Sequence, residues 1–140
     1  MTSTRLDLTI ADDLAEIGRI APSIDDFCAA LGHGPDVAHA INLSLDELLT
    51  NTISYGYDSP GPHEIAITLV GDARSVTVTV TDDAVAFDPT QAGEPDLDAE
   101  LDDRPIGGLG IHIVRVMMDD IVYRHVDGHN QLILTKRTGA

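Results

Sequence analysis

Glu47 and Asn51 stand four positions apart in the stretch LSLDELLTN. On a helix that spacing puts a carboxylate and a carboxamide on one face. Side by side they could hold a hard cation through oxygen, directly or through water, or take a proton from a hydroxyl. A solvated helix face has the same pattern. Asp82 ends the run SVTVTVTD. A carboxylate there can accept from a ligand amino group, and an Asp after a strand is equally a common turn residue. Gly107, Gly108 and Gly110 run straight into the apolar stretch IHIVRVMMDD. Glycine is a poor helix former, so this start needs a reason. A helix N-terminus presents unpaired N–H groups and partial positive charge, and glycines let backbone approach an anion closely. GGLG therefore reads either as a phosphate cradle or as a tight loop that needs glycine for geometry alone. It is not a P-loop: no Gly-Lys-Ser/Thr follows, and the only lysine is Lys136.

These residues need elements to position them. RLDLTI alternates apolar and polar residues and predicts a strand. The following segment predicts a helix with Asp12 as N-cap, kinked or split at Pro22 and stopped by Gly32 to Gly34. A longer helix is expected from about Pro35 to Tyr55, with Val37, Ile41, Leu45, Leu48 and Thr52 on one stripe. EIAITLV and SVTVTVTD predict two strands around the Gly71–Asp72 turn, with Val76, Val78 and Val80 facing one way. Asp88 to Pro105, rich in Pro, Gly and acid, reads as a long loop, and loops of that length are usually functional or disordered. The glycine-opened helix follows, then DIVYRHV and QLILTKR as a hairpin across DGHN. This order predicts an α+β fold, with helices packed on one face of a mixed sheet.

Composition narrows the function. The chain has 140 residues, the size of one domain, and is 43% hydrophobic without Trp, so aliphatic side chains must build the core. Eight Lys plus Arg face 24 Asp plus Glu, a formal charge of −16 that repels nucleic acid. No run approaches the length of a membrane span, and Cys28, the only cysteine, sits in an apolar helical segment. A cytoplasmic location is expected. The six histidines form no recognisable zinc motif.

Taken in order, the helix Glu and Asn, the Asp after a strand, the long loop and the glycine-opened helix resemble the ATP-binding domain shared by gyrase, the heat-shock chaperone, histidine kinases and mismatch-repair ATPases. Within that GHKL superfamily, INLSLDELLTNTISYGY, VTDDAVAFDP and RPIGGLGIHIVRVMMDDIVY look most like the stand-alone serine-kinase anti-sigma factors of bacterial partner-switching systems. The resemblance runs from about Arg5 to Arg137.

The resemblance implies a single histidine-kinase-like ATPase domain over 1–140, in the Bergerat-type two-layer sandwich with a mixed, mostly antiparallel sheet. It implies ATP and Mg²⁺ as cofactors. By the same resemblance Asn51 coordinates Mg²⁺, Glu47 is the general base, and Asp82 accepts from the adenine amino group. Gly107, Gly108 and Gly110 meet the phosphates, Arg104 is the nearest side chain for phosphate contact, and residues 88–106 form the lid. The implied reaction is transfer of the γ-phosphoryl group to a Ser or Thr of a STAS-domain anti-sigma antagonist. A sigma factor would be the alternative partner, and proteins of this kind are often homodimers, which leaves the assembly open. The chain departs from the family in having Ala84 where glycine is usual, Tyr55 where His is common, and an acidic stretch from Glu94 to Asp103. Ala84 and that stretch favour a rival reading, a non-catalytic, nucleotide-gated module that sequesters a regulatory partner. The intact Glu47–Asn51 pair disfavours it.

Overall fold

The computed structural model describes residues 3–91 and 108–138. The elements are β1 (Thr4–Ala11), α1 (Ala15–Ala30), α2 (Pro35–Asn51), β2 (Glu64–Gly71), β3 (Ser75–Asp82), α3 (Gly108–Met117), β4 (Asp120–Val126) and β5 (His129–Arg137). The strands form one sheet in the order β1-β2-β3-β5-β4. Every pairing is antiparallel. The expected α+β sandwich and element order stand. The sheet expected to be mixed is antiparallel throughout among the described strands, because each neighbouring pair runs in opposite directions, including β3 and β5, which α3 and β4 separate in sequence.

Alternation makes the sheet two-sided. On β3, Val76, Val78 and Val80 are buried while Thr77, Thr79 and Thr81 face outward. Ile65, Ile67 and Leu69 of β2 and Leu132 and Leu134 of β5 join the same inner face. Against it lie Ile20, Ile24 and Phe27 of α1, Ile41, Leu45 and Leu49 of α2, and Ile111 and Val114 of α3, in one continuous core. Burying each such side chain contributes about 1.5–3 kcal/mol. Two polar residues occupy the same inner stripe at its end, Asp82 on β3 and Asn130 on β5, and they are register partners.

Three local expectations change. Helix α1 runs unbroken through Pro22. A mid-helix proline removes one donor and crowds the carbonyl four residues back, here that of Gly18. Both residues are exposed, so that carbonyl meets water while Ile20, Ile24 and Phe27 hold the helix down. Asp12 does not cap α1. Its N–H extends the β1–β2 ladder to His63 O at 3.1 Å, and Asp13 Oδ1 instead accepts from Ala15 N at 2.9 Å. The long helix does not stay α to Tyr55: α2 ends at Asn51 and passes into a π-helical turn, Thr52–Gly56.

The last hairpin turns on Asp127 and Gly128 alone, both with positive φ (53° and 79°). That is the backbone a two-residue Asp-Gly turn adopts. His129 and Asn130 therefore belong to β5 rather than to the turn. No helix among the described residues is long and apolar enough to cross a membrane.

Candidate functional site

A cleft of about 320 Å³ opens at the end of β3. One wall is the C-terminal end of α2 and the π-helical turn, through Leu48, Asn51, Thr52, Tyr55 and Gly56. π-Helical turns recur at functional sites because the extra residue redirects side chains. An adjoining wall is the segment after β3, Ala84 to Phe87 with Pro89. Val80, Asp82, Asn130, Leu132 and Tyr123 line the sheet side, and Ile111 comes from the first turn of α3. The lining is apolar apart from a few convergent polar groups, as small-molecule sites generally are. Tyr55, Val85 and Phe87 stay exposed (64%, 50% and 59%), so the cleft has an apolar rim.

The structure brings Asn51 and Asp82 to one cleft, with the start of α3 beside them. Gly108 and Gly110 lie in the first turn of that helix, where N–H groups lack internal partners. Glu47 sits one turn before Asn51, half-buried and outside the cleft lining. Arg104, Gly107 and the expected lid beyond Gln91 lie outside the described residues. The start of the lid segment is described. Asp88 Oδ1 accepts from Thr90 N at 2.8 Å, and Arg115 of α3 donates to Thr90 O at 2.6 Å.

Asp82 is buried and its side chain is already organised. Oδ1 accepts from Ala84 N at 3.0 Å and from Asn130 Nδ2 at 2.9 Å. Among the described residues, every hydrogen bond to this carboxylate falls on Oδ1. Asn130 is not among the site residues the sequence suggests. Its Nδ2 also donates to Ala84 O (3.1 Å) and Val85 O (3.2 Å), while its Oδ1 accepts from Tyr123 Oη and from Phe87 N. A two-residue turn at Asp127-Gly128 would have put Asn130 inside β5, opposite His125 of β4, but its place opposite Asp82 comes from the β3–β5 register, which no local signal fixes.

Ala84, the expected departure, is buried and packs on the π-helical turn. Its methyl lies 3.2 Å from where a Cβ on Gly56 would stand, and Val85 N donates to Gly56 O at 2.9 Å. The space taken by the methyl is space that Gly56 leaves. Burial raises both nearby phenols, Tyr57 beside Asp82, Asp83 and Asp12, and Tyr123 beside Asp88 and Asp82. Tyr57 stacks on His63, ring centroids 4.0 Å apart.

The residues fit a magnesium nucleotide. Asp82 offers an acceptor among apolar walls, Asn51 offers a carboxamide oxygen, and the N-terminus of α3 offers backbone donors. No cluster of three His, Cys, Asp or Glu exists among the described residues. Mg²⁺ is commonly held by one or two protein oxygens together with phosphate and water, a role within reach of the Asn51 carboxamide.

Comparison with known proteins decides the kinship: a model of the histidine kinase-like ATPase domain matches residues 10–136. The chain belongs to this family. The serine/threonine-protein kinase BtrW of Bordetella bronchiseptica is 37% identical over 98 residues, covering 70% of this chain and 69% of the relative. The serine-protein kinase RsbW of Listeria monocytogenes is 24% identical over 140 residues, covering 94% of this chain and 84% of the relative. The solved RsbU and RsbW domains of Rv1364c from Mycobacterium tuberculosis superpose with a TM-score of 0.63 at 17% identity. That match covers 96% of this chain and 32% of the longer one, and it supports the histidine kinase-like ATPase fold.

Proposed function

We propose that the chain is an ATP- and Mg²⁺-dependent serine/threonine protein kinase of the anti-sigma type. The observation that carries the reading is the meeting of Asn51, Asp82 and the first turn of α3 around one cleft. The names of the Bordetella and Listeria relatives support the same chemistry. Magnesium, when bound, neutralises phosphate charge in a protein that offers few cations of its own. Asn51 supplies an oxygen to it. Asp82 accepts from the adenine amino group, and the α3 N–H groups beyond Gly108 and Gly110 face the phosphates. Arg104 and Gly107, outside the described residues, are assigned to the same phosphates by the family resemblance alone. Glu47, one helical turn from Asn51 (about 6 Å of rise), takes the proton of the attacking hydroxyl. Positioning and charge neutralisation supply most of the rate.

The acceptor is a Ser or Thr on a STAS-domain antagonist, and the alternative partner is a sigma factor. The chain acts as one domain, in the cytoplasm, as a homodimer. Incubation with labelled ATP, Mg²⁺ and the small protein that co-purifies with it tests the reading. Label on a partner Ser or Thr that disappears in Glu47→Ala supports the kinase. A second reading, a switch that binds nucleotide and partner without transfer, draws on Glu47 standing outside the cleft lining. Tight partner binding with no label transferred would establish it.

A further inference from the structure

Asn130 is 8% exposed and uses both ends of its amide. Its nitrogen faces three acceptors, Asp82 Oδ1, Ala84 O and Val85 O. Its oxygen faces two donors, Tyr123 Oη and Phe87 N. The network fixes the orientation, because a flipped amide would set a carbonyl oxygen against those three acceptors. One short side chain thus ties the end of β3, the wall from Ala84 to Phe87, and β4 through Tyr123. Hydrogen bonds to a charged group are the stronger kind, and a fully satisfied buried network is rigid.

We infer that Asn130 is a positioning residue for base recognition: it holds Asp82 by one oxygen and the Ala84–Phe87 wall by its carbonyls, so that Asp82 Oδ2 is left as a fixed acceptor for a purine amino group. This rests on the proposed reading of Asp82. Two donors on Oδ1 keep the carboxylate in one rotamer. Without Nδ2 the carboxylate can turn, and the wall loses its tether to β5. Tyr123 acts one step further out, by holding the Asn130 amide from the oxygen side.

The test is calorimetry on the full chain with Mg²⁺ and two nucleotides, ADP and purine riboside diphosphate, which lacks the amino group. A positioning role makes Asn130 matter more to the nucleotide that carries that group than to the one that lacks it. In Asn130→Ala, ADP affinity is expected to fall about tenfold or more, as for loss of a hydrogen bond to a charged group. Affinity for the amino-free nucleotide should fall by at most about threefold, through the freed wall alone, a change of under about 0.7 kcal/mol. Tyr123→Phe, which removes only a hydroxyl, should show the same selectivity loss at smaller size. It decides the matter if Asn130→Ala does not fold. Equal losses for both nucleotides, or unchanged ADP binding in folded variants, would overturn the inference. Asp82→Asn separates the two layers. If it abolishes ADP binding while Asn130→Ala and Tyr123→Phe are silent, only the positioning role fails. If it leaves ADP binding intact, the reading of Asp82 fails and the inference with it.

Discussion

The Ala84 methyl occupies the space that Gly56 leaves open, with 3.2 Å between it and the position of a Gly56 Cβ. The two residues come from adjoining walls of the cleft, where those walls meet. A methyl on each would be tighter than ordinary packing allows.

Gly56→Ala should therefore destabilise the protein by about 1 kcal/mol: overpacking costs about 1–3, and the reduced entropy of the unfolded chain offsets about 0.4–1. Nucleotide affinity should fall with it as the walls shift. Ala84→Gly in the same chain should restore affinity, and a double-mutant cycle by urea denaturation and calorimetry measures the coupling. Additive effects would show that the walls do not touch in solution.

Glu47 is expected to act on the acceptor hydroxyl rather than on nucleotide binding. Glu47→Ala should lower phosphoryl transfer by roughly 10²–10⁴, the range for loss of a general base. The Kd for MgADP should be unchanged, since Glu47 lies outside the cleft lining. Single-turnover kinetics beside calorimetry distinguishes this from a binding defect.

Asn51→Ala should erase the magnesium dependence of nucleotide affinity. Wild-type protein is expected to bind ADP more weakly once EDTA removes the ion, and the variant should bind equally weakly with or without it. A variant that still gains affinity on adding Mg²⁺ would assign the ion to other ligands.

Gly71 is a purely structural test. A Cβ there would meet Ser75 O at 2.9 Å and Leu31 Cδ1 at 3.0 Å. Gly71→Ala should cost about 1–3 kcal/mol of stability by overpacking, with cleft chemistry untouched in the folded fraction. Thermal and urea unfolding read it directly.

Burial, with Asp25 nearby, pushes the Cys28 thiol up to about 11. The folded state then keeps its proton at pH values where the unfolded thiol, near 9, has lost it. Stability should be unaffected below pH 9 and fall as pH rises from 9 towards 11, by on the order of 2 kcal/mol. Cys28→Ala should remove the loss between pH 9 and 10, while Tyr57 and Tyr123, also raised by burial, keep a slope above 10, and urea midpoints across the range would show it.

Much of the architecture is legible in the sequence because period-two alternation in SVTVTVTD and period-three-to-four spacing in α2 each report one buried face. Asn51, Asp82 and the glycine-opened helix are legible because their side-chain and backbone chemistry is distinctive and their order constrains it. Asn130 is not, because its role depends on register. Taken as part of a DGHN turn it has no partner; the two-residue turn assignment puts it in β5 opposite His125, and only the long-range pairing of β5 with β3 places it beside Asp82. Pro22 misleads because propensity ignores which side of a helix meets water. The packing of Ala84 on Gly56 joins residues distant in sequence, which no local pattern encodes.

The π-helical turn at Thr52–Gly56 carries a consequence for chain length. Each residue of an α-helix advances about 100° around the axis, so one residue more or fewer re-aims everything after it. Deleting a single residue between Thr52 and Gly56 would let the helix continue in register with α2 while swinging Tyr55 and Gly56 off the cleft wall. The ability to take up a nucleotide would then vanish through rotation alone, with the core packing of the preceding turns intact.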